Sequence, residues 1–194
     1  MVIDAHAHLF HPSWYPQVFN DQLASALGNR ASPRATSVLL RALSDDTGES
    51  TIRSMDAAGI DHRIVLVLDW GVELGEPELS IKAVHEAVLE ICLRFPDRLT
   101  GFAGLDPRRP EAAEMLSWAV DSLGARGLKL HPTSAGWTLE DDVTMQLVEI
   151  AAQRGLVVLV HIGGTFARLT DRHAGPEAFL GIAARFPQTG TRHG

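Results

Sequence analysis

The hydrophobic positions of this chain follow two spacings that alternate along the sequence. Short apolar runs such as 64–68 and 156–160 have the length and composition of buried strands. Between such runs, apolar residues recur every three or four positions, as at Val84, Val88 and Ile91, which is typical of a helix with one buried face. Helices that alternate with strands apolar on both faces predict an α/β fold, a parallel sheet wrapped by helices.

The first predicted strand, residues 2–9, carries the most informative polar pattern. Successive side chains of a strand point to opposite faces, so Asp4, His6 and His8 share one face. Residues two apart lie roughly 7 Å apart along a strand, so both imidazoles can converge on one metal ion. The alternative is that each histidine is solvated or hydrogen-bonded in the core. We favour the metal site because we expect so apolar a strand to be buried, and three titratable groups on one buried face need partners.

Other polar residues stand at the C-terminal ends of the predicted strands. They are His8, Asp69, Asp106, His131 and His161. In a (β/α) barrel this end of the sheet carries the active site. His161 would complete with His6 and His8 a set of three neutral nitrogen ligands, which suits Zn²⁺ or a similar divalent ion. We expect Asp69 and Asp106 to be turn residues, whereas His131 either contacts the substrate or hydrogen-bonds a metal ligand.

The segment 10–46 is rich in Pro, Ser and Asn and has no steady apolar spacing before Val38. It therefore predicts a long loop insertion, and loops of this length are usually functional. We expect the insertion to cover the strand ends that carry the histidines. Trp14, Tyr15 and His11 are candidates for lining a substrate pocket there, and the alternative is that the loop aromatics anchor the loop to the body of the protein.

Composition narrows the choice of partners. The chain has 194 residues, which suits one domain, and its net charge of -7 argues against binding to nucleic acid or an anionic membrane. No apolar run approaches the length needed to span a membrane, and Asp4 and His6 stand where a signal peptide would be basic or apolar. The only cysteine, Cys92, cannot form an internal disulfide. We therefore expect a cytoplasmic protein that acts on a small molecule.

Three motifs in order resemble the amidohydrolase superfamily: His6-x-His8, Gly-Leu-Lys-Leu-His-Pro at 127–132 and Val-His-Ile-Gly-Gly at 160–164. The chain is most similar to the amidohydrolase-related branch, which includes aminocarboxymuconate semialdehyde decarboxylase and related metal-dependent hydrolases. The resemblance runs from Val2 to about Pro187. It implies a barrel that binds a divalent metal, for which we expect Zn²⁺, with His6, His8 and His161 as the ligands.

The resemblance also implies that this chain has only part of the barrel. A full barrel takes ~250 residues, so we expect a partial TIM-type (β/α) barrel with about five parallel strands, forming a single incomplete domain over residues 1–194. The family's histidine after strand six and aspartate after strand eight have no counterpart, and residues 188–192 before His193 contain no apolar strand. Lys129 corresponds to a lysine that is carboxylated in some members of the superfamily, but we expect it to face inward and pair with a carboxylate.

Two functions follow from this pattern. The first is a metal-dependent hydrolase or decarboxylase that uses a metal-activated water on a small carboxylated or cyclic organic substrate. The alternative is a truncated, inactive domain that folds and at most binds metal. An incomplete sheet leaves an unpaired edge, so we also expect self-association into a homo-oligomer. A doubly wound nucleotide-binding domain ranks last, because no Gly-rich loop follows the first strand.

Overall fold

A computed structural model describes residues 1–27, 32–132, 137–162, 178–187 and 191–193. Its sheet contains six strands. They are β1 (Ile3–Ala7), β2 (His62–Leu66), β3 (Leu99–Gly104), β4 (Gly127–Leu130), β5 (Val157–Val160) and β6 (Thr191–His193). The helices are α1 (Gln17–Ala26), α2 (Pro33–Ala42), α3 (Glu49–Ala58), α4 (Gly71–Leu74), α5 (Ile81–Arg94), α6 (Ala112–Leu123), α7 (Asp142–Gln153) and α8 (Ala178–Arg185).

The sheet is parallel throughout, and its strand order β1-β2-β3-β4-β5-β6 is the order of the chain. A doubly wound sheet reverses its order at a switch point, whereas a (β/α) barrel adds each strand beside the last. The fold is therefore a partial TIM-type barrel with flanking helices, as the sequence predicted.

Alternate residues of the strands build two apolar layers. Val65, Ala103 and Val158 belong to the large core between the sheet and the helices. Their chain neighbours Leu66, Phe102 and Leu159 form a smaller cluster on the other face. Because side chains alternate along a strand, this second face is the inside of the curled sheet, and it is the face that leads to the histidines.

The segment 10–46 is not the loop that its composition suggested. It contains a short 3-10 helix (Pro12–Trp14) and the helices α1 and α2. Pro33 stands in the first turn of α2, where proline is tolerated because that N–H has no partner within the helix. The backbone N–H of Asp45 donates to the carbonyl of Phe10 at 2.8 Å, so the insertion leaves and rejoins the body of the protein at nearly the same place.

The stretch before His193 also differs from expectation, because residues 191–193 form β6. This strand pairs with β5, and His193 lies opposite Val160. The three residues contain no apolar side chain, but a parallel ladder is made by backbone groups, so the hydrophobic pattern gave no signal.

β1 lies at one edge of the sheet. We expected its apolar face to be buried, yet Ile3 is 49% exposed and Ala5 is also exposed. The expectation was wrong for the first part of this face: β1 is an edge strand of the described sheet, and only Leu9, after its C-terminal end, is buried. No helix in the described ranges has both the length and the apolar character needed to cross a membrane.

Candidate metal centre

The three predicted ligands gather at the C-terminal ends of two strands. His6 lies on β1, His8 follows β1, and His161 follows β5. The ring centroids of His6 and His8 are 5.2 Å apart at an interplanar angle of 76°. Those of His6 and His161 are 6.3 Å apart at 88°. The curled sheet thus brings residues 153 or more positions apart in sequence to one site, as the strand-end argument predicted.

The distances can be compared with the size of a metal centre. Metal–nitrogen bonds of ~2.0–2.1 Å at tetrahedral angles put the centroids of two ligating rings roughly 5 Å apart. The His6–His8 pair matches this spacing, and His161 lies about 1 Å farther away than it requires. Among the described residues, no three His, Cys, Asp or Glu side chains already form a group that could hold a metal. The donor chemistry fits a divalent ion, and the third ring has to approach to complete the set.

His8 is oriented by the neighbouring strand. Its Nδ1 lies 2.9 Å from the carbonyl oxygen of Leu66. Because a carbonyl oxygen only accepts hydrogen bonds, Nδ1 carries the proton and the lone pair is on Nε2. A histidine held in this way presents one defined nitrogen to a metal.

The electrostatics of the site keep these rings neutral. Burial lowers the pKa of His6 to about 4, with smaller contributions from the positive charges of Lys129 and His161. The pKa of His8 is also lowered to about 4, chiefly because surrounding atoms displace its hydration, and the hydrogen bond to Leu66 partly offsets this. Part of the His8 side chain nevertheless faces open space. Neutral imidazole is the form that binds metal, so these shifts favour ligation at neutral pH.

His131 lies buried next to His161, and the two rings stack at 4.1 Å with an interplanar angle of 12°. Burial, reinforced by charge on His161, lowers the pKa of His131 to about 2. Trp70 meets the same ring edge-on at 5.2 Å. His131 therefore contacts a predicted ligand by stacking and also lines the adjacent pocket.

Lys129 differs from the sequence-based expectation. Its side chain is 1% exposed, and its Nζ has no hydrogen-bond partner among the described residues, so the expected carboxylate partner is absent from this part of the chain. Burial lowers the pKa of Lys129 to about 7. The sequence motif located this residue on the inner face but gave no information about what surrounds it.

The two strand-end aspartates are bound by arginines. Asp69 accepts hydrogen bonds from Arg109, and Asp106 accepts them from Arg108. Both carboxylates are buried, and these arginines neutralise them. Their position is consistent with a structural role at the ends of β2 and β3, and they are not available as metal ligands in this arrangement.

A cavity of about 460 Å³ opens beside the histidines. His6, His8, His131 and His161 line one part of it, and the aromatic residues Phe10, Tyr15, Phe19 and Trp70 contribute to the rest. Trp14 does not line this cavity; it is buried and borders a separate cavity together with Asp46 and Leu79. Of the three candidates from the insertion, only Tyr15 lines the cavity beside the histidines, whereas Trp14 and His11 border other cavities.

Sequence reasoning missed several of these pocket residues, among them Trp70, Phe19 and Leu23. Trp70 directly follows the strand-end residue Asp69, so its position could have been inferred from the barrel pattern. Phe19 and Leu23 have the i, i+4 spacing of a helix face, a signal obscured by the surrounding Pro and Asn residues. His173 follows β5 in the sequence, where we expect it to be solvent-exposed in preference to contacting the substrate; it lies outside the described residues.

A curled parallel sheet with histidines at the C-terminal ends of its strands defines this chain as a (β/α)-barrel protein with a candidate metal centre. The chain belongs to the amidohydrolase family, whose profile matches residues 3–190. No curated protein matches the chain.

Solved structures confirm the fold. The 5-carboxyvanillate decarboxylase of Novosphingobium aromaticivorans, solved with manganese and a substituted nitrobenzoic acid, is 19% identical, with a TM-score of 0.66 over 100% of this chain and 65% of its own. The 2,6-dihydroxybenzoate decarboxylase of Rhizobium is 15% identical, with a TM-score of 0.63 over 99% and 65%. An uncharacterized TIM-barrel protein of Bordetella bronchiseptica is 18% identical, with a TM-score of 0.64 over 98% and 65%. The chain therefore spans about 65% of the length of these solved relatives.

Proposed function

We propose that this chain functions as a metal-dependent hydrolase or decarboxylase that acts on a small carboxylated or cyclic organic compound. The observation that carries the proposal is the His6–His8 pair, two neutral rings at a ligating separation of 5.2 Å in a member of the amidohydrolase family. His161 is the proposed third ligand. His131 and the aromatic residues that line the cavity, Phe10, Tyr15, Phe19 and Trp70, contact the substrate.

The ion that these residues would hold is divalent. Three imidazole nitrogens suit Zn²⁺, while the solved 5-carboxyvanillate decarboxylase contains manganese, so both ions belong in the test. A divalent ion at this position supplies Lewis acidity to the reaction. The protein's own contribution is to hold His8 by the carbonyl of Leu66 and to keep His6, His8 and His131 neutral.

Calorimetric titration of chelator-treated protein with Mn²⁺ and Zn²⁺ tests this proposal. We expect one equivalent to bind, and we expect His8→Asn to weaken binding by roughly 100-fold because it removes a ligand. The matched control is His62→Asn, because His62 lies at the N-terminal ends of the strands, away from the proposed site. Its ring nitrogens there hydrogen-bond the backbone carbonyl of Asp97 and the hydroxyl of Thr100. Absence of binding to wild-type protein, or equal losses in the two variants, would contradict the metal site.

A second candidate is a domain that binds metal without catalysing a reaction. It is favoured by one observation, that the chain spans about 65% of its solved relatives. Incubating the metal-loaded protein with aromatic carboxylic acids, and separately with esters or lactones, distinguishes a decarboxylase, a hydrolase and a non-catalytic domain by their products. Release of CO₂ indicates a decarboxylase, new acid without CO₂ indicates a hydrolase, and neither product supports the non-catalytic domain.

We also propose that the protein self-associates in the cytoplasm through the free edge of β1. Met1, Val2 and Ile3 are exposed apolar residues at this edge, with 95%, 55% and 49% of their surface accessible. Unpaired strand edges and exposed apolar side chains both favour association. Light scattering at micromolar concentration should show a dimer or larger species, and a monodisperse monomer would refute this part of the proposal.

A further inference from the structure

The cavity beside the histidines is polar at one end and apolar at the other. The four histidines form the polar end. The apolar end comes mainly from the 10–46 insertion, with Phe19 and Leu23 on α1 and Leu43 directly after α2. At about 460 Å³ the cavity has the size of a small-molecule site.

Tyr15 presents only its ring to this cavity. Its hydroxyl donates a hydrogen bond to the carbonyl of Leu9 at 3.0 Å, and burial raises its pKa. The ring stacks on Phe19 at 4.7 Å, and Phe19 in turn packs against Trp70 at 5.1 Å. The hydroxyl is therefore already used, and the wall that Tyr15 and Phe19 offer to a ligand is made of carbon atoms.

The described residues provide a lining without charged side chains. None of the described residues around the cavity carries a carboxylate, an ammonium or a guanidinium group. A hydroxyl or charged group packed against Phe19 and Leu23 would find no hydrogen-bond partner among the described side chains at this end, which is unfavourable where the group displaces its own water. An apolar group there would instead be removed from water against apolar surface.

We infer that the insertion forms a hydrophobic subsite that binds the apolar body of the substrate while its carboxyl or carbonyl group faces the histidines. This inference rests on the proposed function for the identity of the reacting group. It assigns the substrate class as acids or acid derivatives with an alkyl or unsubstituted ring body, in preference to polyhydroxylated ones. α1 and α2 are then the elements that determine specificity.

Calorimetry with three probes tests the subsite: benzoate, 4-butylbenzoate and 4-hydroxybenzoate, each titrated with and without Mn²⁺. Burial of two of the four added carbon atoms is sufficient for 4-butylbenzoate to bind roughly tenfold more tightly than benzoate. We expect 4-hydroxybenzoate to bind no more tightly than benzoate. Equal affinities for the three probes, or no binding by any of them, would overturn the inference.

The chain offers a matched pair of variants. Leu43 and Leu27 both end a helix and are similarly exposed, at 44% and 53%, but only Leu43 lines the cavity. Neither substitution disturbs the core, so both variants should fold. We expect Leu43→Gln to reduce the preference for 4-butylbenzoate about threefold or more, whereas Leu27→Gln should retain it. Equal effects of the two changes would indicate nonspecific binding and refute the subsite.

These experiments can refute the metal-dependent function and the hydrophobic subsite independently of each other. If Mn²⁺ does not bind but the preference for 4-butylbenzoate persists and depends on Leu43, the metal-dependent function is wrong and the subsite stands. If Mn²⁺ binds through His8 and the three probes bind equally, the subsite is wrong and the metal site stands.

Discussion

Asp69 and Arg109 join the ends of β2 and β3 through a buried ion pair. The Nε and Nη2 atoms of Arg109 donate to the two carboxylate oxygens of Asp69 at 2.6 and 2.8 Å. The backbone N–H of Asp106 donates to the same carboxylate at 3.0 Å. Trp70, the residue after Asp69, packs edge-on against His131. The pair therefore fixes the segment that holds one wall of the candidate site.

We expect Arg109→Ala to lower the free energy of unfolding by about 3–5 kcal/mol, because it leaves the Asp69 carboxylate buried without its cation. The side chains of Asp69 and Arg109 are only 1% and 10% exposed. Urea denaturation measures the effect. The control is Arg154→Ala, which removes a pair with Asp121 whose partners are 31% and 60% exposed, and which should cost much less because water screens and solvates both charges. Similar losses in the two variants would contradict this account.

The sequence predicted the parts of the fold that depend on local spacing. Val84, Val88 and Ile91 all lie on α5 and are buried, because their spacing places them on one face of a helix. The 10–46 insertion was misread because α1 and α2 bury few side chains, so their apolar stripes are short. The hydrophobic pattern did not predict β6. This strand is formed by backbone pairing with β5, and backbone pairing does not require a particular pattern of side chains.

In the candidate site, too, the features set by local spacing were predictable and those set by contacts between distant segments were not. His6 and His8 were predictable because their proximity follows from strand geometry alone. Their meeting with His161 was predictable only through the barrel topology. The packing of Trp70 on His131 and the environment of Lys129 depend on contacts between distant segments, and no spacing within one strand encodes them.

Close approach of β2 and β3 makes Gly104 intolerant of a side chain. A Cβ on Gly104 would lie 1.7 Å from the backbone oxygen of Val67, so the strand ends would have to separate. We expect Gly104→Ala to destabilise the protein by at least about 2 kcal/mol, as overpacking does.

The control is Gly181 in α8, where an added Cβ would have no atom within 4 Å. Gly181→Ala should stabilise the protein by roughly 0.5–1 kcal/mol, because alanine has a higher helix propensity than glycine. Thermal unfolding that shifts both variants in the same direction would disprove the argument.

Acid should destabilise the metal-free protein below pH 6.5. The folded-state pKa values of His6 and His8 are about 4, below the ordinary value of 6.5. Between these values the unfolded chain binds more protons than the folded chain, so stability falls as the pH falls from 6.5 to about 4. Urea denaturation at pH 6.5 and pH 5 in the presence of chelator measures the slope. We expect a shallower slope for His8→Asn, and an unchanged slope would show that His8 is not held neutral.

Lys129 should make the free energy of unfolding increase as the pH rises above about 7. Burial lowers its pKa to about 7 from an ordinary value of 10.5, so between these values the unfolded chain again binds the extra proton. Its contribution therefore raises the free energy of unfolding by about 1–2 kcal/mol between pH 7 and pH 8.5. Lys129→Met keeps a side chain of similar length without the amine, and it should remove this rise and stabilise the protein at pH 7.

The difference between wild type and Lys129→Met isolates the contribution of Lys129. Cys92 acts in the opposite direction, because burial raises its pKa to about 12 and its stabilising effect is lost as the pH rises above 9.0. Since Cys92 is present in both proteins, it cancels in the comparison. Urea denaturation at pH 7 and pH 8.5 gives the two slopes. Equal slopes, or a variant less stable than wild type at pH 7, would show that the amine has a partner when the protein folds in solution.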